Sequence, residues 1–576
     1  MIRPVPNDGS MRRLLAAVLL PLALAACHGR APPAAQASLI ATATSSTPPP
    51  MAITLAPQIN EPSFLRTVRT LTSPALGGRK PATRSEVLTT HYLVTELHRM
   101  GVLPGYHGRW LQPVPVVSTR LLNTDTRFMV RAPGGVQSFA YGTDLLVGTQ
   151  QARTQVDLDA AQIVFAGYGI DSPSRDWNDY QHADVRGKIV IVLDGDPGAS
   201  DGTVSRHALA RAKFALAARQ GAAACFIIHP DGSLRTWRAL RTAAAGAVQR
   251  LPASAAPGPR LAVAGWLTQA AAARLFSAAG ASLAAFTQAA AQPNFTPTTL
   301  AATGSIRLRS AVEYGWTDNV LGLIRGALHP DQVVIYSAHW DGLGSVPDLR
   351  GRRVRLPGAA DDATGVAALL QIADAFAHRK RPPARSVLFV LATLGDAGQL
   401  GSRYYVEHPV FPLSHTVADI NLDLWPILGR ARDMTAFGTD ASGLHQALTQ
   451  VLALQGRTLD ADPTPAFALA YRSDQYSFAR AGVPALLVGP GLDLVSGGRA
   501  AGEAAWHEYL RERFNTDADA FNHHWDLSGT LEDIQTLYLL GQDLADGNEW
   551  PQWAPDSPYR ARREAMSPPA PAPSSP

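Results

Sequence analysis

The sequence is poor in cysteine and in long apolar runs. Cys27 and Cys225 are its only cysteines in 576 residues, so the fold cannot depend on a disulfide framework. No apolar run is long enough to cross a membrane as a helix. HExxH and phosphate-loop motifs are also missing, which leaves HExxH metalloproteases and P-loop nucleotide-binding proteins without support.

An excess of charge of one sign is lacking too. The chain has 51 Lys and Arg against 47 Asp and Glu, a net charge of +4 that is spread along the sequence. No basic patch therefore argues for a nucleic-acid partner, and the short run Arg560 to Arg563 is interpreted as a solvated chain end. Hydrophobic residues make up 46% of the chain, which is typical of a globular protein.

The N-terminus has the pattern of an export signal. Arg12 and Arg13 precede an apolar stretch that ends in Leu24-Ala25-Ala26-Cys27, which resembles the lipobox of bacterial lipoproteins. We predict a lipoprotein signal peptide over 1–27 and a lipid anchor on Cys27, with a simple secretory signal as the alternative. His28 after the cysteine is compatible with the outer membrane, so the protein is expected to face the periplasm or the cell surface. Lipidation would leave Cys225 alone, without an internal disulfide.

The rest of the chain divides by composition and periodicity. Residues 28–52 are rich in Ala, Pro, Ser and Thr and are predicted to be a disordered linker, and residues 548–576 a disordered tail. Between them, 53–140 begins with a helical pattern, 141–300 alternates short strands and turns, and 301–547 alternates strands with helices. The last pattern predicts an α/β fold with a mostly parallel sheet covered by helices on both faces.

Carboxylates and one histidine follow the predicted strands of 301–547. His339 and Asp341 end the first strand, Asp361 opens the next helix, and Asp396 and Asp423 follow the second and third strands. The carboxyl ends of parallel strands meet at one edge of the sheet, where this fold class binds its ligands. Imidazole with carboxylates suits zinc, although each residue taken singly is as readily a helix cap or a turn former.

Several longer stretches resemble the di-zinc aminopeptidase family, within the zinc exopeptidase superfamily. They are SAHWD, GAADDATGVAALL, LGSRYYVEHPVFPL, INLD, YRSDQYSFARAGVPAL and WDLSG. FAGYGIDSPSRDWNDYQHADVRGKIVIV resembles the protease-associated domain inserted in exported members. The resemblance implies that 53–140 and 301–547 form the peptidase domain and that 141–300 is a smaller, β-rich insertion.

The resemblance also implies roles for single residues. His339, Asp361 and Asp423 match the ligands of one zinc ion, with Asp361 bridging to a second ion. Asp341 matches the carboxylate that orients the ligand histidine. Asp396 and Asn515 fall at ligand positions of the second zinc, and Gly395 at the position of the general base.

Three of these positions depart from the family pattern. Glycine at 395 has no side chain to accept a proton, Asp396 is one methylene shorter than the usual Glu, and Asn515 replaces a ligand histidine. General base catalysis contributes about 10²–10⁴-fold. We therefore expect peptidase activity that is lost or strongly reduced, with one zinc ion bound.

Two ways to restore catalysis stay open. In the first, the second zinc site gains a new ligand and holds its ion; the candidates are His523 or His524, or His507 with Glu508. In the second, Asp396 acts as the base. Two functions also stay open: an exported aminopeptidase acting on peptides, and a non-catalytic lipoprotein that binds a peptide or protein partner. The resemblance permits the second function, because the family also contains the transferrin receptor ectodomain.

Overall fold

The computed structural model describes residues 53–122, 125–197, 205–347, 352–438 and 442–566, which all fall in one compact unit. The predicted signal peptide, the linker over 28–52 and Cys27 lie outside the described residues. Within the described ranges the strands are Leu103–Pro104 (β1), Leu111–Leu121 (β2), Arg127–Ala132 (β3), Gly135–Ala140 (β4), Leu145–Gly148 (β5), Gln155–Phe165 (β6), Asp171–Ser172 (β7), Trp177–Asn178 (β8), Ile189–Leu193 (β9), Ala224–His229 (β10), Val248–Arg250 (β11), Val263–Thr268 (β12), Thr298–Ile324 (β13), His329–His339 (β14), Ser345–Pro347 (β15), Arg353–Arg355 (β16), Arg385–Ala392 (β17), Thr416–Leu422 (β18), Asp433–Phe437 (β19), Thr458–Ala461 (β20) and Ala485–Pro490 (β21).

The α-helices of the described ranges are mostly short, and they cover the sheets. They are Glu61–Leu71 (α1), Arg84–Arg99 (α2), Ala210–Arg219 (α3), Trp237–Ala244 (α4), Gln269–Ala278 (α5), Leu283–Ala290 (α6), Thr364–Ala377 (α7), Leu400–Glu407 (α8), Gly443–Leu454 (α9), Gln475–Arg480 (α10), Gly498–Glu508 (α11), Ser528–Asp546 (α12) and Arg560–Glu564 (α13). No single helix among them is long and apolar enough to span a membrane; α5 and α6 pass that test only together, as a pair bent by 106°.

The larger sheet has a parallel centre. β14 lies between β17 and β18, and β21 extends this parallel group beyond β18. Antiparallel strands flank the group: β19 on one side, and β13 followed by β2 on the other. The parallel strands β17 and β18 are buried along their whole length, as expected for strands covered on both faces. Helices α7 and α12 bury most of their residues against them.

A smaller sheet is built on the same long strand β13. The first part of β13 pairs with β3 and β6, and its later part continues into the larger sheet beside β2 and β17. The parallel strands β6, β9, β10 and β12 form the rest of this sheet, with β5 at its edge. Because β3 pairs with β4 and β13, the smaller sheet draws on residues from Arg127 onward, before position 141.

The chain end differs from its prediction. Residues 548–566 are ordered: Trp553 and Tyr559 are buried together, and α13 follows. Arg563 is buried as well, and its guanidinium donates to the carbonyl oxygens of Leu413 and Thr416. The predicted disorder is therefore wrong for 548–566, because an aromatic pair and a buried guanidinium stabilise a segment whose composition alone looks like a loop.

Candidate metal centre

Three segments deliver the side chains of the centre. β14 ends at His339, β18 is followed directly by Asp423, and the turn over 359–363 before α7 carries Asp361. Asp361 has non-helical backbone angles (φ −124°, ψ 85°), so the predicted helix begins only at Thr364. The two strands are parallel neighbours, and their carboxyl ends therefore bring His339 and Asp423 to the same edge.

These three side chains converge on one point. The His339 Nε2 atom lies 3.1 Å from Asp361 Oδ1 and 3.4 Å from Asp423 Oδ1. One ligand atom from each residue lies within 4.8 Å of the others, and all three residues are buried. In the described part of the chain, this group of one imidazole and two carboxylates could hold a metal ion.

The electrostatics of the centre are dominated by its carboxylates. Burial lowers the pKa of His339, but the facing Asp423, Asp341 and Asp361 outweigh it and raise that pKa well above its ordinary value. Burial likewise opposes the ionised form of Asp423, yet the His339 charge lowers the pKa of this carboxyl. The surrounding carboxylates therefore favour a positive charge at the centre.

The site fits a divalent metal ion by its donors. An imidazole nitrogen with two carboxylate oxygens is a donor set that zinc accepts, and a zinc ion would take the place of the imidazole proton as the compensating charge. His339 Nδ1 has no hydrogen-bond partner in the described chain, and it faces Asp341 Oδ1 at 3.4 Å. Asp341 thus lies where a carboxylate orients a metal-bound histidine.

The loop after β17 supports the same carboxylate. The backbone N–H of Gly395 donates to Asp341 Oδ1 at 2.8 Å. Gly395 also packs directly on the imidazole: a Cβ atom at this position would lie 2.4 Å from His339 Cγ. Glycine at 395 is therefore part of how this centre is packed, in addition to removing a proton acceptor.

The predicted residues of the second zinc site line the same pocket. It has a volume of about 230 Å³, and Asp396, Asn515 and Gly395 line it together with the three ligands. Asp396 lies outside the group that can hold a metal ion. Burial and the nearby Asp361 raise the pKa of Asp396 well above its ordinary value.

The histidines considered as replacements do not line this pocket. His523 and His524 are exposed, and His523 packs its ring against Phe521. His507 and Glu508, at the end of α11, are also absent from the described pocket lining.

Two supporting residues were not found from the sequence. Asp519 accepts hydrogen bonds from the backbone N–H groups of Ala360 (2.9 Å) and Asp361 (3.2 Å) and so fixes the ligand-bearing turn. Burial raises the pKa of Asp519 to about 6. Arg79 is fully buried and donates to four carbonyl oxygens, among them those of Trp340 and Gly358 beside the ligands.

The smaller sheet's segment also reaches the pocket. Arg211 of α3 and Arg235 line it, as does Arg472. Arg211 donates to Gln399 Oε1 and to the carbonyl oxygen of Tyr471, which ties α3 to the loops around the centre. The sequence gives no local signal for these contacts, because they join segments about 190 and 260 residues apart.

Comparison with known proteins agrees with this geometry. Residues 319–537 match the family model of peptidase family M28. A stretch of 89 residues is 34% identical to a probable zinc metalloprotease of Pyricularia oryzae and covers 16% of this chain. A stretch of 140 residues is 31% identical to the aminopeptidase NAALADL1 of Mus musculus and covers 23% of this chain. Each match spans 17% of the relative's own length.

A solved structure resembles nearly the whole described chain. It is the aminopeptidase from Aneurinibacillus sp. strain AM-1, with a TM-score of 0.50 and 17% identity. The match covers 86% of this chain and 96% of that one. The likeness confirms the predicted α/β fold of the zinc aminopeptidase type.

Proposed function

We propose that this chain is a zinc-binding protein of the aminopeptidase type that holds a peptide at the centre formed by His339, Asp361 and Asp423. We further propose that it has lost most or all of its hydrolysis of N-terminal residues. The observation that carries this is the pocket lining: no glutamate is among its described residues, and its only histidine is His339. The position that should supply a proton acceptor is Gly395.

The described contacts suggest a role for each residue of the centre. A bound zinc ion would polarise the scissile carbonyl group and make a nearby water more acidic. His339, Asp361 and Asp423 would hold it, with Asp341 orienting the imidazole and Asp519 the turn of Asp361. Asp396 is the one carboxylate that lines the described pocket outside the ligand group, so residual proton transfer falls to it.

A second candidate is a pure binding function, in which a peptide or protein partner occupies the pocket without being cleaved. The same lining favours it, since the residues that hold a metal are present and the residue that accepts a proton is absent. Metal content and turnover distinguish the two candidates. Slow turnover that depends on the bound zinc ion favours the first candidate, and zinc binding without any turnover favours the binding protein.

The test is a zinc measurement together with a peptidase assay on the same preparation. We expect one zinc per chain, lost in His339→Ala, and a release of arylamine from amino-acid arylamides that is far slower than about 1 s⁻¹. The matched control is His523→Ala, which removes an exposed imidazole and should leave the zinc content unchanged. Turnover of about 1 s⁻¹ or more, the low end for ordinary enzymes, would contradict the proposed loss.

We also propose that the chain is exported and anchored by lipid at Cys27, on the pattern of residues 12–27. A Cys27→Ala variant is expected to move from the membrane fraction to the soluble fraction, and metabolic labelling with a fatty acid should disappear with it. Membrane association that survives the substitution would refute the anchor.

A further inference from the structure

A second cavity adjoins the metal pocket and is lined by positive charge. It has a volume of about 480 Å³ and lies between the smaller sheet's segment and helices α8 and α10. We call it the arginine cavity. Its cationic lining residues are Arg206, Arg211, Arg219, Arg403 and Arg480, against a single described lining carboxylate, Asp171.

The arginines of this cavity form no salt bridge within the described part of the chain. By contrast, the buried Arg457 pairs with the buried Asp533. Arg211 donates to the neutral oxygens of Gln399 and Tyr471. Arg480 lies over the Tyr476 ring, 5.8 Å from its centroid.

The positively charged arginines of the cavity lie close enough to affect one another. The pKa of Arg211 is lowered to about 10, mainly by burial and in smaller part by the charges of Arg403 and Arg480. The pKa of Arg403 is lowered by burial and then by Arg480, while Glu407 raises it in part. Arg211 and Arg403 are half-buried, while Arg206, Arg219 and Arg480 are exposed at the rim. Positive groups gathered in a low-dielectric cavity attract an anion more strongly than the same groups on an open surface.

The arginine cavity adjoins the metal pocket. Leu209, Arg211 and Gln399 line both. Arg211 therefore lies at the boundary where a ligand that begins at the metal ligands would meet the charged walls. An extended peptide has this form, and guanidinium groups pair well with carboxylates.

We propose that the arginine cavity binds the acidic side chains of a peptide whose N-terminal end occupies the metal pocket, so that the preferred ligand carries Glu or Asp residues shortly after its first residue. This deepens the proposed function and rests on a peptide being held at the metal centre. It does not depend on whether that peptide is hydrolysed.

The test measures binding rather than turnover, using the purified zinc-loaded chain. The probes are two peptides labelled with fluorescein at the C-terminus: Leu-Gly followed by four Glu, and Leu-Gly followed by four Gln. Fluorescence anisotropy is expected to give at least about tenfold tighter binding of the Glu peptide, since charge-assisted hydrogen bonds to arginine are roughly twice as strong as neutral ones. Raising the salt concentration should narrow the difference.

Substitutions locate the effect. Arg403→Gln with Arg480→Gln should remove most of the preference for the Glu peptide and leave binding of the Gln peptide and the zinc content unchanged. Arg562→Gln is the matched control, because it removes one exposed guanidinium of α13. Circular dichroism and thermal unfolding show whether the double variant is folded, and the single variants give the same comparison if it is not.

The outcomes separate this inference from the proposed function. Equal binding of the two peptides, absence of binding, or a preference that survives the double substitution overturns the inference. Displacement of the Glu peptide by an equal concentration of inorganic phosphate would assign the cavity to small anions and would also overturn it. Clear preference for the Glu peptide together with rapid arylamide turnover would support the cavity and refute only the loss of hydrolysis.

Discussion

Replacing Gly395 by alanine tests the packing of the metal centre most directly. The added Cβ atom would lie 2.4 Å from His339 Cγ, 2.5 Å from its Cβ and 2.8 Å from its Nδ1. Carbon atoms in contact normally sit about 3.5–4.0 Å apart, so the ring or the loop must move by about 1 Å. Zinc ligands tolerate deviations of only about 0.2 Å. The imidazole therefore cannot stay in place as a ligand without a shift of the backbone at 395.

We expect zinc affinity to fall by about 10–100-fold in Gly395→Ala, a loss like that from disturbing residues that orient a ligand. Overpacking should also lower the free energy of unfolding of the metal-free protein by about 1–3 kcal/mol. Competition with a chelator of known affinity measures the first effect, and urea unfolding the second. Gly315→Ala is the control, since no heavy atom lies within 4 Å of its added Cβ. Unchanged zinc affinity in Gly395→Ala would show that the 395 loop and His339 are not packed as described.

Three further outcomes are expected. Asp519→Ala leaves the N–H groups that hold the ligand turn without their acceptor, so urea unfolding should show a loss of about 1–3 kcal/mol, whereas Asp517→Ala, on the surface, should not. Gly395→Glu should fail to restore arylamide turnover by itself, because its Cβ meets the same imidazole; turnover at the level of an ordinary aminopeptidase would refute this. Burial raises the pKa of Asp474 to about 7 from its ordinary 3.8, so the folded state holds this proton more tightly than the unfolded chain. Its contribution to stability is complete below about pH 4 and is lost as the pH rises through 7. Asp474→Asn should therefore gain stability over the unsubstituted protein between pH 4 and pH 8, and equal slopes of stability against pH would contradict it.

Much of the larger sheet follows from local patterns. Apolar runs rich in branched residues predict β17 and β18, and the helical spacing of apolar residues predicts α7. Because carboxyl ends of neighbouring parallel strands meet, the sequence also predicts that His339 and Asp423 lie together, and they do. Periodicity could not predict that β13 runs for 27 residues through both sheets. Its register depends on partners as distant in the chain as β2 and β17.

The surroundings of the ligands could not be predicted in the same way. Asp519 and Arg79 look like ordinary polar residues in loops, and only the fold brings them to the turn of Asp361 and to the carbonyl groups beside it. Arg211 comes from the predicted insertion over 141–300 and Arg403 from the predicted peptidase domain, yet both line the arginine cavity. Helical or strand periodicity carries information about which face is buried, and none about which distant charge will share that face.

The contacts of the centre separate metal binding from proton transfer. His339, Asp361 and Asp423 converge on one point. Asp341 faces the imidazole of His339, and Asp519 accepts hydrogen bonds from the N–H groups of the turn that carries Asp361. At the position of the base, Gly395 offers only its backbone N–H, and that group already donates to Asp341. The residue at the position of the base thus contributes to holding the metal ligand while being unable to accept a proton. A chain that retains zinc and fails to turn over peptides is what this arrangement predicts, and zinc content and turnover must therefore be measured independently.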